Sequence, residues 1–263
     1  MSQQPIRFDD GAAYERGMGV WSQIAGMEFL DWLAPAPGLR WVDIGCGNGA
    51  FTELLMRRCA PAMVHGIDPS APQLQFASGR PGLQTVVFKE GDAMALPFDA
   101  DQFDAAVMAL VIFFVPDPAK GVSEMMRVVR PGGIVTAYAW DILGGGFPFE
   151  PIQAELRAAG YNPPLPPNAP VARMDALRAL WVDAGLESVE THAITVERSF
   201  TDFEDYWDAN TAMGSIKPAL AKLPEAELAT FKARLRARLP ADAAGRITYP
   251  SRANAVTGRV PGA

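Results

Sequence analysis

Three glycines at alternate positions, Gly45, Gly47 and Gly49, follow the apolar run Val42–Ile44 in the stretch VDIGCGNG, and Phe51 comes just after it. Without β-carbons, such a backbone turns sharply and lets a ligand lie directly on it. A pyrophosphate-binding turn uses the spacing G-x-G-x-x-G, with the phosphates on the N-terminus of the next helix. Here the third glycine falls one position early and Ala50 follows it. The spacing favours a nucleotide-like ligand that has no pyrophosphate. Asp43, at the end of the strand, is positioned to face a cationic group. Taken alone, the loop is equally a plain strand–turn–helix.

Two more acidic residues stand at the ends of later apolar runs. Asp68 closes VHGID, just over twenty residues after the glycine loop, where a carboxylate can accept both hydroxyls of a ribose or cap the following helix. Asp92 opens DAMALPF, where it can accept an adenine amine, with the Ala93 backbone at the ring edge, or simply hold a turn. In series, the three positions carry what an adenosyl ligand with a cationic amino-acid end requires. S-adenosylmethionine has those parts and no phosphate.

These residues need elements to position them. Arg40–Ile44, Ala62–Ile67, Thr85–Lys89, Phe103–Val111 and Gly133–Ala139 read as strands. Phe51–Cys59, Ala71–Ser78 and Pro118–Val129 between them read as helices. Alternation of this kind predicts an α/β fold, a Rossmann-like three-layer sandwich whose mostly parallel sheet binds ligands at the strands' carboxyl ends. Ala12–Leu33 reads as an amphipathic helix or a broken pair, Met174–Ala184 as a helix, and Ser188–Ser199 as a strand. Phe203–Leu239 reads as helical, and Ile247–Val260 as a last strand with Pro250 at an edge or bend.

The pieces VDIGCGNGAFT, GIDPS, GDAMALPF, FDAAVMALVIFFVPDP and MMRVVRPGG together resemble the class I S-adenosylmethionine-dependent methyltransferase family, in its branch of ubiquinone/menaquinone-type enzymes. The resemblance covers about Arg40 to Tyr138, and YERGMGVWS (Tyr14–Ser22) looks like a segment that precedes the core in one subgroup. It implies a seven-stranded sheet with an antiparallel edge and helical insertions. It also implies S-adenosyl-L-methionine as cofactor and S-adenosyl-L-homocysteine as product. Asp43, Gly45, Cys46 and Gly47 would line the methionyl part, Asp68 and Pro69 the ribose, and Asp92 and Ala93 the adenine. Ala109 and Leu110 would reach the amino-acid end through backbone carbonyls. Tyr14, Met18 and Trp21 would close over the cofactor, or pack as an ordinary helix on the sheet.

The expected reaction is in-line methyl transfer to a small-molecule acceptor. Related enzymes often carry a polar residue after the fourth strand, but Phe113 and Phe114 stand there. Asp141, beyond the fifth strand, is the candidate base, with a surface-loop acid as the other reading. His65 and His192 lie within strands and read as structural. Asn162–Pro163–Pro164 resembles an N-methyltransferase motif at the wrong place in the chain and reads as coincidence.

A net charge of −7 argues against nucleic acid as substrate. The basic run Lys232–Arg238 reads as a solvated helix face. Two cysteines and no spaced Cys/His cluster predict neither a disulfide framework nor a metal site. No stretch has membrane-spanning length, and a cytoplasmic location is the default. The 263 residues predict one domain, with an N-terminal cap over about 1–36 and a helical lid over about 201–245, hinged near Met213 and Gly214. The alternatives are a protein that binds the cofactor without catalysing transfer and an NAD(P)-dependent oxidoreductase.

Overall fold

The computed structural model describes residues 15–211 and 216–262. Tyr14, Met213 and Gly214 lie outside the described residues. Among those described, the strands are β1 (Arg40–Ile44), β2 (Met63–Asp68), β3 (Val87–Glu90), β4 (Phe103–Ala109), β5 (Val129–Trp140), β6 (Glu187–Phe200) and β7 (Ile247–Arg259). They form one seven-stranded sheet in the order β3-β2-β1-β4-β5-β7-β6. β1 to β5 are parallel, and β7 runs antiparallel to both β5 and β6. The strand order reverses at β1, between β2 and β4, which opens a crevice at the carboxyl ends there.

The central strands are mostly apolar because helices cover both faces. The helices are α1 (Val20–Leu33), α2 (Ala50–Cys59), α3 (Ala71–Ser78), α4 (Pro118–Val128), α5 (Glu150–Ala158) and α6 (Met174–Asp183), then α7 (Phe203–Thr211), α8 (Ile216–Leu220) and α9 (Glu225–Arg238). α1 lies along one face, with Phe29 stacked on Tyr138 of β5 and Trp32 stacked on His192 of β6. It packs closely on α2 because Gly26 has no side chain: a Cβ there would stand 2.8 Å from Leu54. On the opposite face, Trp181 of α6 donates its indole N–H to the Val135 carbonyl at 2.9 Å.

The N-terminal segment is broken, with a π-turn over Glu15–Gly19 before α1. The helical stretch between β6 and β7 divides into α7, α8 and α9. The irregular excursion after Trp140 contains a helix, α5, that the proline-rich and glycine-rich sequence obscured. Pro250 lies in β7 beyond the last pairing with β5 at Trp140–Ala253, so its missing N–H costs no bond on that side. No helix among the described residues is long and apolar enough to cross a membrane.

Candidate functional site

β1 delivers Asp43 to the crevice fully buried. Its Oδ2 accepts the Thr52 hydroxyl at 2.6 Å, from the first turn of α2. Its Oδ1 is buried and has no hydrogen-bond partner. Burial raises the pKa to about 7; the Thr52 bond opposes this and the charge of Asp68 adds to it.

The glycine loop then turns beneath the end of β4. Gly45 has φ +73°, and a Cβ on it would lie 2.5 Å from Val111, so both the backbone and the space demand glycine. Gly47, at φ +52°, would meet nothing nearer than the Gly45 carbonyl at 4.0 Å, which leaves its surface open. Asn48 accepts the Ala50 N–H at 3.2 Å and helps to start α2.

Asp68 ends β2. Its two oxygens accept the backbone N–H groups of Gly47 and Ser70, each at 2.9 Å. Burial pushes its pKa up, and these two bonds pull it down. An ionised carboxylate has about four lone-pair positions, so two remain for a ligand's hydroxyls.

Leu110, after β4, holds φ +63°, an uncommon backbone for a branched residue, and donates to the Tyr138 carbonyl at 2.8 Å. Strain of this kind collects at binding sites. The turn that follows is fixed from outside. Asn168, in the proline-rich loop, donates its side-chain amide to Val115 and its backbone N–H to Phe113. That loop therefore buttresses the wall carrying Val111 and Phe114.

These elements enclose a cavity of about 430 Å³, within the usual range for small-ligand sites. Asp43, Gly45, Cys46, Gly47, Asp68, Pro69, Ala109 and Leu110 line it together. Sequence reasoning missed Ser22, Phe51, Ser70, Gln73, Phe114 and Tyr138, which also line it. Phe51 and Ser70 sat beside recognised motifs, and that adjacency was the available signal. Ser22 and Tyr138 reach the cavity through helix packing and strand order, which leave no local signature. Among the described residues no Arg, Lys or His lines the cavity, while two carboxylates do. The wall thus suits a cation and repels a pyrophosphate.

The other expected residues lie elsewhere. Asp92 is exposed and accepts the Met94 N–H at 2.8 Å, as a turn aspartate does; it and Ala93 are outside the cavity lining. Met18 and Trp21 are buried, with Trp21 edge-to-face on Trp140 at 6.5 Å, and neither lines the cavity. Asp141 also lies outside it. Its carboxylate pairs with Arg252 and accepts the Gly144 N–H at 3.0 Å, anchoring the glycine-rich turn. No group of three or more potential metal ligands occurs among the described residues.

A family model for a methyltransferase domain matches residues 42–137. The chain is 43% identical over 96 residues to 2-methyl-6-phytyl-1,4-hydroquinone methyltransferase 2, chloroplastic, of Oryza sativa subsp. japonica, a match covering 36% of this chain and 28% of that protein. It is 39% identical over 106 residues to demethylmenaquinone methyltransferase of Desulfitobacterium hafniense (strain Y51), covering 38% of this chain and 42% of that protein. Less than half the length of each relative is therefore matched. Among solved structures, phosphoethanolamine N-methyltransferase 2 of Haemonchus contortus, in complex with S-adenosyl-L-methionine, superposes with a TM-score of 0.58 at 20% identity. That match covers 97% of this chain and 58% of the other, and it speaks to fold alone.

Proposed function

We propose, from the methyltransferase-domain match over residues 42–137 and the similarity to quinone methyltransferases, that the chain is a class I S-adenosylmethionine-dependent methyltransferase, a cytoplasmic enzyme methylating a small molecule. The observation that carries the cofactor assignment is the unpartnered, buried Asp43 Oδ1 in a cavity wall that, among the described residues, has carboxylates and no cation. A buried polar atom without a partner costs free energy that a bound ammonium or sulfonium group offsets. The open surface at Gly47 gives such a ligand backbone to lie on.

Bound S-adenosylmethionine supplies a methyl group already activated on a sulfonium. The chain's own residues bind and orient. Asp43 neutralises the amino-acid end, Gly45 and Gly47 let the ligand approach the backbone, and Asp68 holds the ribose. Leu110 presents its carbonyl from a strained turn. Phe114 and Tyr138 line the cavity and supply it with ring surface that would exclude water from the methyl group. With an activated donor, positioning supplies much of the rate. Asp141 stays a candidate base only if its bond to Arg252 opens.

Calorimetric titration tests the assignment. S-adenosylhomocysteine should bind and NADH should not, and the reverse result would falsify the reading. A second reading, a protein that binds the cofactor without transferring its methyl group, draws support from the scarcity of bases in the cavity wall. A turnover assay separates it from an enzyme.

A further inference from the structure

Leading away from the cavity-lining Ser22 and Tyr138, six polar side-chain atoms are buried without any hydrogen-bond partner among the described residues: Trp21 Nε1, Trp140 Nε1, Ser251 Oγ, Gln153 Oε1, Tyr206 OH and Asn210 Oδ1. Native interiors leave few such atoms, and each calls for an explanation. These six are not scattered. Trp140 stands two residues beyond the cavity-lining Tyr138 on β5, so both project from the same face. Trp21 precedes the cavity-lining Ser22 on α1, and its ring meets Trp140 edge to face. Trp140 pairs in register with Ala253, which puts Ser251 and Tyr249 further along that face of β7. Tyr249 lies 6.4 Å from Tyr206 of α7, and Asn210 follows one turn later on the same helix. Gln153 sits on α5 one turn after Glu150, whose charge acts on Tyr249.

We propose that this layer, between the sheet and the insertion helices α5 and α7, is the acceptor subsite, and that it takes an uncharged compound bearing hydroxyl or carbonyl groups. The proposal rests on the methyltransferase reading above. The two indoles can only donate, the amide oxygens can only accept, and the two hydroxyls do either. A ligand that satisfies them must itself both donate and accept. None of the six is ionised, and the carboxylates beside this layer are engaged, Glu150 by Arg157, Glu155 by Arg238 and Asp141 by Arg252, while Asp43 faces the cofactor's amino-acid end. A buried amine cation would need an anionic partner that the six do not provide. Because the six atoms are closed off from solvent, α7 has to lift from β7 to admit the acceptor, and the acceptor then supplies the missing bonds.

The test uses the full chain saturated with S-adenosylhomocysteine, with catechol as the uncharged probe and histamine as the cationic one. Calorimetry should show catechol binding and histamine failing to bind. Tyr206→Phe and Ser251→Ala should each weaken catechol about tenfold, the loss of one hydrogen bond, without changing S-adenosylhomocysteine affinity. Neither should lower the melting temperature of the free protein, because the hydroxyl it removes has no partner there. A drop of several degrees in both variants would mark the hydroxyls as structural and overturn the proposal. So would binding of histamine in preference to catechol, or binding of neither. Failure of S-adenosylhomocysteine itself to bind the unaltered chain, read before any probe is added, would instead refute the cofactor reading.

Discussion

Asp68 Oδ2 accepts the Gly47 N–H at 2.9 Å, so the end of β2 is bonded to the middle of the glycine loop that follows β1. The carboxylate assigned to the ribose therefore also shapes the loop under the methionyl part. Its other oxygen fixes the Ser70 N–H at the start of α3.

Asp68→Ala should consequently do two things. It strips two backbone donors of their partner, each costing about 1–3 kcal/mol where water cannot replace it, so the melting temperature falls. It also removes the hydroxyl acceptor, so affinity for S-adenosylhomocysteine falls at least about tenfold. Thermal scanning and calorimetry on one preparation read both effects. Unchanged affinity in a folded variant would rule out the ribose role and leave the loop-holding one.

Asp43 makes the empty site sensitive to pH. Burial lifts its pKa from the ordinary 3.8 to about 7, so the folded protein keeps a proton that the unfolded chain has already released. Stability is therefore full below pH 3.8, falls as pH rises to about 7, and is level above that. Asp43→Asn removes the dependence, and above pH 7 the empty variant should be more stable than the parent by a few kcal/mol in urea unfolding. A bound cation should reverse the shift. At pH 6, S-adenosylhomocysteine binding should then release protons, seen as a binding heat that varies with buffer ionisation heat, and Asp43→Asn should release none. Equal proton release by both proteins would show that Asp43 does not face the ligand's cation.

Much of this arrangement is legible in the chain itself, for local reasons. Arg40–Ile44 and Ala71–Ser78 match their predicted bounds because apolar runs and proline or glycine punctuation are short-range signals. The glycine loop and Asp43, Asp68, Ala109 and Leu110 are local too, since each lies at or just beyond a strand's carboxyl end. What the chain conceals is long-range. Arg252 lies 111 residues from Asp141, and nothing near Asp141 announces that its carboxylate is taken. Asn168 steadies the turn after β4 from 53 residues away, so the proline-rich loop reads as a mere excursion. Asp92 and Ala93 follow the third strand as expected, yet Asp92 is exposed, accepts the Met94 N–H, and stands outside the cavity lining with Ala93.

The pairing of Asp141 with Arg252 yields a discriminating outcome. Asp141→Asn can keep the Gly144 bond through its amide oxygen but loses the charge that holds Arg252. A residue that anchors a turn should then cost a few degrees of melting temperature and less than about tenfold in turnover, whereas loss of a general base costs about 10²–10⁴-fold. Steady-state rates with a working acceptor, set beside the melting curve, decide between the two. A large loss of turnover at unchanged stability would restore Asp141 as the base.

The basic run Lys232–Arg238 is where charge and motion meet. Lys232 lies 4.4 Å from the Trp207 ring centroid and Arg236 lies 4.4 Å from that of Phe203, and both pair with Glu204. Trp207 also meets Phe231 edge to face at 6.0 Å. Each cation–π contact at such an exposed site contributes about 0.5–1 kcal/mol, and together with the aromatic contact they tie α7 to α9. If α7 lifts to admit an acceptor, α9 should travel with it. Hydrogen exchange should therefore slow in α7 and α9 together when S-adenosylhomocysteine and an acceptor bind. In Lys232→Ala/Arg236→Ala, slowing should persist in α7 and weaken in α9, because the tie has been cut. Uniform protection of both helices in the free and bound states would mean that the insertion is a fixed part of the fold and opens no path to the acceptor layer.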